Sequence, residues 1–177
     1  MAGIVRLDKV KSVKCGNIFD VVSDEVLENG MIGVLGELVG DEREVRTLEK
    51  PSNLESGEIV VVASPEIMYE EYKKVDGALG KFVIDAGTVA RAYTLAPTDI
   101  VSVSTDLVVA LSDKPVKGNV VTAKTGSYKF EEKASATTEK FVAKIIGIEK
   151  IGRGIVVGQA GLMERATEYV VLEIVRA

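Results

Sequence analysis

Few side chains in this sequence are able to carry chemistry. Acids adjoin one another at Glu70-Glu71, Glu131-Glu132 and Asp41-Glu42, with Glu44 close by. A carboxylate pair hydrolyses glycosides when its members face each other across a cleft, usually from different strands. Adjacency in sequence does not supply that geometry. Each pair also flanks or lies near Lys or Arg, which is the pattern of solvated surface charge. No run has acids at alternating positions followed by glycine and a distal glutamate, as a calcium loop requires. Gly152, Gly154, Gly158 and Gly161 invite comparison with a phosphate loop. That loop needs Gly-x-Gly-x-x-Gly between a strand and a helix, so that backbone amides reach a pyrophosphate. Counting from Gly152 and Gly154, the third position is Val157, and no phosphate-loop lysine follows. The stretch 151–161 therefore reads as a flexible loop or long hairpin, suited to reaching a neighbouring subunit.

The remaining candidates are single residues. Cys15, the one cysteine, stands between Lys14 and Gly16. Nearby lysines favour a thiolate, yet the chain has no histidine to act as its base. A small packing residue or an inert thiol is expected. Arg91 lies between Ala90 and Ala92, beside Tyr93, and is expected either to pair with Asp85 or Asp99 or to anchor a partner. Zero histidines exclude imidazole catalysis and ligation, and one cysteine excludes a disulfide framework or a multi-cysteine metal site. These exclusions predict no enzyme, no catalytic residues, no metal and no cofactor. A net charge of −5 argues against a nucleic-acid binder, which needs a basic face. The apolar runs are strand-length and far short of a membrane span. No apolar signal core follows Arg6, Lys9, Lys11 and Lys14, so maturation or assembly in a reducing cytoplasm is expected.

The elements that would position such residues are mainly strands. The 177 residues include 28 Val, 13 Ile and 10 Thr, more than a quarter of the chain and all β-branched. Seventeen glycines punctuate short apolar runs. The expected fold is mainly β, a compact sandwich or barrel-like single domain over 1–177 with one or two short helices. Strands are expected at 31–39 after the Asn29-Gly30 turn, and at 58–63, buried on both faces. Further strands fall at 89–95, 99–104 and 107–111, with a hairpin formed by 119–122 and 128–130 around Thr125-Gly126-Ser127. The last two, 140–150 and 168–176, are the longest. Helices are weakly indicated at 65–74, where Ser64-Pro65-Glu66 resembles an N-terminus, and at 76–84. The charged stretch 41–58 reads as an exposed loop. Residues 1–14 alternate apolar with basic or polar, fitting either a solvated edge strand or an arm reaching for an acidic surface.

The order of segments resembles the capsid decoration, or cement, proteins of tailed phages and prophages of Gram-positive bacteria. The likeness runs through Gly16-Asn17-Ile18-Phe19-Asp20, Leu27-Glu28-Asn29-Gly30 with Ile32-Gly33, and Val61-Val62-Ala63-Ser64-Pro65-Glu66. It continues in Ala86-Gly87, Ala90-Arg91-Ala92-Tyr93, Asp99-Ile100, Phe141-Val142-Ala143-Lys144-Ile145-Ile146 and Glu173-Ile174-Val175. The resemblance implies a non-enzymatic virion protein on the outer capsid surface, bound to the assembled major capsid protein and stabilising the shell. Partners are then the capsid and further copies of the chain, as a homo-oligomer or lattice neighbours, with no nucleic acid and no membrane. Arg6, Lys9, Lys11, Arg91 and Arg153 are the candidate capsid or neighbour contacts. Two other classes fit the residues: a β-sandwich adhesion or carbohydrate-binding module, and a small carboxylate-dependent enzyme. The first usually presents aromatic platforms and the chain has no Trp; the second needs a concave pocket with a strongly perturbed carboxylate or lysine.

Overall fold

The computed structural model describes residues 2–52, 57–66, 82–136, 138–152, 154–156, 162–164 and 167–177. The chain opens with β1 (Val5–Lys9) and a single helical turn, α1 (Ser12–Cys15), which Gly16 stops in the left-handed conformation at φ 78°. It then forms β2 (Ile18–Val22), β3 (Ile32–Leu38), β4 (Val45–Glu49), β5 (Ile59–Val62) and β6 (Ala90–Thr94). Next come β7 (Ile100–Ser104), a 3-10 turn at Thr105–Leu107, β8 (Val108–Val109), β9 (Val120–Ala123) and β10 (Phe130–Lys133). The chain ends with β11 (Val142–Ile151), β12 (Gly154–Val156), β13 (Leu162–Glu164) and β14 (Thr167–Arg176). The protein is mostly β, as its composition predicts.

Two layers result. Strands β2-β4-β3-β5-β6 close into a five-stranded barrel, in which only β2 and β4 run parallel. The other layer is a seven-stranded sheet in the order β1-β7-β14-β11-β9-β10-β8. Alternation along β5 joins the layers, because successive side chains point to opposite faces. Val60 and Val62 enter the barrel's interior cluster with Val21, Leu48, Ala90 and Ala92. Ile59 and Val61 enter the second cluster, with Val101, Val103, Val121, Ile145, Val170 and Leu172 of the sheet. Tyr128, from the β9–β10 connection, also belongs to the barrel interior, where its hydroxyl donates to the Leu48 carbonyl at 3.0 Å. Fully burying a Val, Leu, Ile or Phe side chain contributes about 1.5–3 kcal/mol, so these two clusters dominate the fold.

Several expectations are revised. The stretch 41–58 is not simply an exposed loop, because it contains β4, and Leu48 is only 3% exposed. One inward leucine among Arg46, Thr47 and Glu49 suffices for a barrel strand, which buries a single face. Of the two readings of 151–161, a flexible loop or a long hairpin, the described residues show the hairpin: the stretch begins inside β11 and includes β12, whose partner is β13. The pair Gly154↔Glu164 lies three residues beyond Ile151↔Thr167 on both strands, so β12 and β13 continue the β11–β14 register. Residues 67–81 lie outside the described residues, and most of both candidate helices with them. Residues 82–84 are not helical; Ile84 bridges to Leu27 as extended chain. The Asn29-Gly30 turn gives positive φ to Gly30 alone. Asn29 is buried instead, and its amide both donates to the Ser64 carbonyl (2.9 Å) and accepts from the Ser64 N–H (2.8 Å).

One turn carries backbone strain. Asp99 N–H donates to the Ala96 carbonyl at 3.0 Å, closing a turn in which Pro97 precedes Thr98 at φ 76°. A type II turn has Pro at its second position and favours Gly at its third, and a β-branched residue there is a true outlier. Thr98 is exposed, and its own N–H donates to the Ile174 carbonyl at 2.8 Å, a bond that glycine preserves. Thr98→Gly is therefore expected to stabilise the fold by about 1 kcal/mol, strain relief outweighing the entropy cost of glycine. A rise of roughly 2–4 °C in the thermal midpoint checks this, and a fall contradicts it.

Candidate functional site

Arg6, Lys9 and Lys11 follow one border of the seven-stranded sheet. There, among the described residues, β1 pairs only with β7, through Val5↔Val103 and Arg6↔Ser102, and an irregularity interrupts the ladder before Lys9↔Ile100. Bulges and charges of this kind blunt a sheet edge against indiscriminate pairing. Arg6 is already engaged within the chain. Its guanidinium pairs with Asp8 at 2.9 Å and Glu149 at 3.6 Å, and lies 5.7 Å from the centre of the Tyr169 ring. Burial pushes the Tyr169 hydroxyl up from its usual pKa, and the Arg6 charge opposes that rise. The Lys11 ammonium donates to the Pro97 carbonyl at 3.2 Å, and Lys9 is exposed. Arg153 lies outside the described residues.

Arg91 sits apart from these, on the barrel. Its expected pairing with Asp99 is not found, because Asp99 is fully buried elsewhere and accepts from the N–H groups of Lys11 (3.2 Å) and Ala96 (2.9 Å). Arg91 instead faces Asp20 across the β2–β6 pair. Alternation puts Ala90 and Ala92 inside the barrel and turns Arg91 to solvent. It lines an open hollow of about 620 Å3 together with Ile18, Phe19, Asp20, Arg43, Glu44 and Arg46. Asp20 is also in register with Val45, so the β2 ladder brings the 43–46 segment to one side of the hollow and Arg91 to the other. The Arg46 guanidinium is fixed by donating to the Gly36 carbonyl at 3.1 Å. Asp85 lines an adjoining hollow of about 410 Å3 that shares Asp20 and Arg91.

Two further expectations change. The paired acid Glu132 is not solvated surface charge, since it is 1% exposed. It follows Phe130 by two residues along β10, so both side chains take the same face of the strand. Its carboxylate accepts from the Leu111 N–H at 2.9 Å, the Val116 N–H at 2.8 Å and the Asn119 amide at 2.7 Å. Cys15 is exposed at the end of α1, which removes the packing alternative and leaves the reading of an inert thiol.

The fold and the hollow define a mostly-β protein, a closed barrel backed by a sheet, with an arginine-lined depression on the barrel. No family model, curated protein or solved structure matches the chain. Among the described residues, no helix is long and apolar enough to cross a membrane.

Proposed function

We propose that this chain is a non-enzymatic decoration protein of a phage head, binding the outer face of the assembled major capsid protein and stabilising the shell. One observation carries the reading: the dispersed segments that resemble the decoration family are hydrogen-bonded to one another in space. Ile18, Phe19 and Asp20 pair with Tyr93, Ala92 and Arg91. Ile32 and Gly33 pair with Val61 and Val60, and Asn29 clamps Ser64. Ala143 pairs with Ile174, whose N–H donates to the Asp99 carbonyl at 2.9 Å. The likeness thus falls on mutually supporting parts of a framework, as a shared fold requires.

On this reading the protein works in the virion, touches no nucleic acid or membrane, and contacts capsid subunits and its own lattice neighbours. Repetition of the lattice raises the effective concentration of each successive contact. A ligand that binds only the assembled shell stabilises it by mass action. Purified protein is therefore expected to sediment with DNA-filled or emptied heads built from its cognate capsid protein, and to leave unassembled subunits free. Heads stripped of it should release DNA at a lower temperature than decorated heads. Equal binding to free subunits, or release at the same temperature with and without the protein, overturns the proposal.

A further inference from the structure

We infer that the hollow between β2, β4 and β6 is a docking site for a carboxylate-bearing segment of a protein partner. Three of the chain's seven arginines line it, in a chain whose net charge is −5. No lysine shares that lining. Arginine presents a planar fork of N–H donors that matches a carboxylate two bonds at a time, whereas lysine acts as a point charge. Among the described residues, Arg43 and Arg91 make no ion pair, although Asp20 and Glu44 line the same hollow. Arg46 is held in place through its bond to the Gly36 carbonyl at 3.1 Å, which leaves other N–H groups for a ligand.

The composition of the walls selects the ligand. Three guanidiniums against Asp20 and Glu44 leave one net positive charge, which matches a singly charged carboxylate. A phosphate near neutral pH carries close to two charges, and both acids would repel it. Ile18, more than a third exposed, and the partly buried Phe19 supply apolar surface beside the arginines. A free small anion has no use for that surface, whereas an extended peptide does, since its alternate side chains can be acidic and apolar.

Calorimetric titration of the full chain tests this. The probe is a capped extended peptide with a single glutamate two residues from a leucine, so that both side chains lie on one face, with its glutamine counterpart and sodium phosphate as comparisons. The glutamate peptide is expected to bind, to weaken with added salt, and to shift the Nε–Hε resonances of Arg43 and Arg91. Arg43→Gln and Arg91→Gln, both at exposed positions, should each weaken it about tenfold. Arg91→Lys, which keeps the charge but loses the fork, should recover only part of the loss. Matched circular dichroism melts separate this effect from unfolding. The inference is overturned by absence of binding, by equal affinity for the glutamine peptide, or by unchanged affinity in both glutamine variants. Phosphate binding at these arginines without peptide binding overturns it as well, and assigns the hollow to phosphate.

Discussion

Deleting residues 2–11 is expected to cost the protein its fold, not only a contact surface. The segment includes β1, which pairs with β7, and Ala2, Ile4 and Val10, which are buried. Ile4 is further held by its N–H, which donates to Ser104 Oγ at 3.1 Å. The Gly3 N–H donates to the Glu28 carboxylate at 2.6 Å, and the Lys11 N–H donates to buried Asp99. Two buried aliphatic side chains contribute about 1.5–3 kcal/mol each, before any ladder hydrogen bond is counted. Total stabilities are only about 5–15 kcal/mol. The truncated chain should melt at least roughly 10 °C lower or show no transition at all in a circular dichroism scan. An arm reading predicts the opposite, an unchanged melt with weaker, less salt-sensitive capsid binding. Recovery of that behaviour would return the segment to the interface.

Glu132→Gln is the second large effect expected. The native carboxylate offers two oxygens to three donors, from Leu111, Val116 and Asn119. Glutamine keeps one acceptor and turns an NH2 group toward donors, so at least one buried N–H goes unmet. That costs about 2–3 kcal/mol, read as a lower urea midpoint with an unchanged slope. The same carboxyl gives the protein an acid limit. Burial alone would raise its pKa, but the two backbone amides and Asn119 favour the carboxylate more strongly and hold it below the ordinary 4.5. Glu139 is held low as well, chiefly by its hydrogen bond to Lys133. A depressed carboxyl contributes fully above its unfolded value, and the contribution is lost as pH falls through the lower folded value. Wild-type stability should therefore hold near neutrality and fall once pH drops below about 4.5, with a shallower fall in Glu132→Gln. An identical acid profile in the two proteins would remove Glu132 from this role.

Strands defended by dense β-branched runs were legible in the sequence. The expected 58–63 contains β5, the two longest runs became β11 and β14, and Thr125-Gly126-Ser127 sits in the β9–β10 connection. Elements that bury one face with one or two apolar residues were not legible. β4 hides its single leucine among charged neighbours, and β2 carries Asp20 between Phe19 and Val21. The arginine hollow is less readable still. Arg43 and Arg46 look like loop charge until the parallel β2–β4 pairing places them beside β2, and Arg91 joins them only through the β2–β6 register. Glu132 misleads for a related reason: its charge suggests solvent, whereas the donors that satisfy it come from residues 111–119, which local sequence does not connect to it.

The position of β5 governs how the molecule comes apart. One strand supplies Val60 and Val62 to the barrel interior and Ile59 and Val61 to the core against the sheet. Opening either layer far enough to release β5 therefore strips apolar cover from the other. The barrel and the sheet are therefore expected to open together, neither remaining as a partly melted refuge when the other is stressed. Deuterium would reach the β5 amides only through whole-molecule opening. A molecule built in this way is expected to yield all at once or not at all.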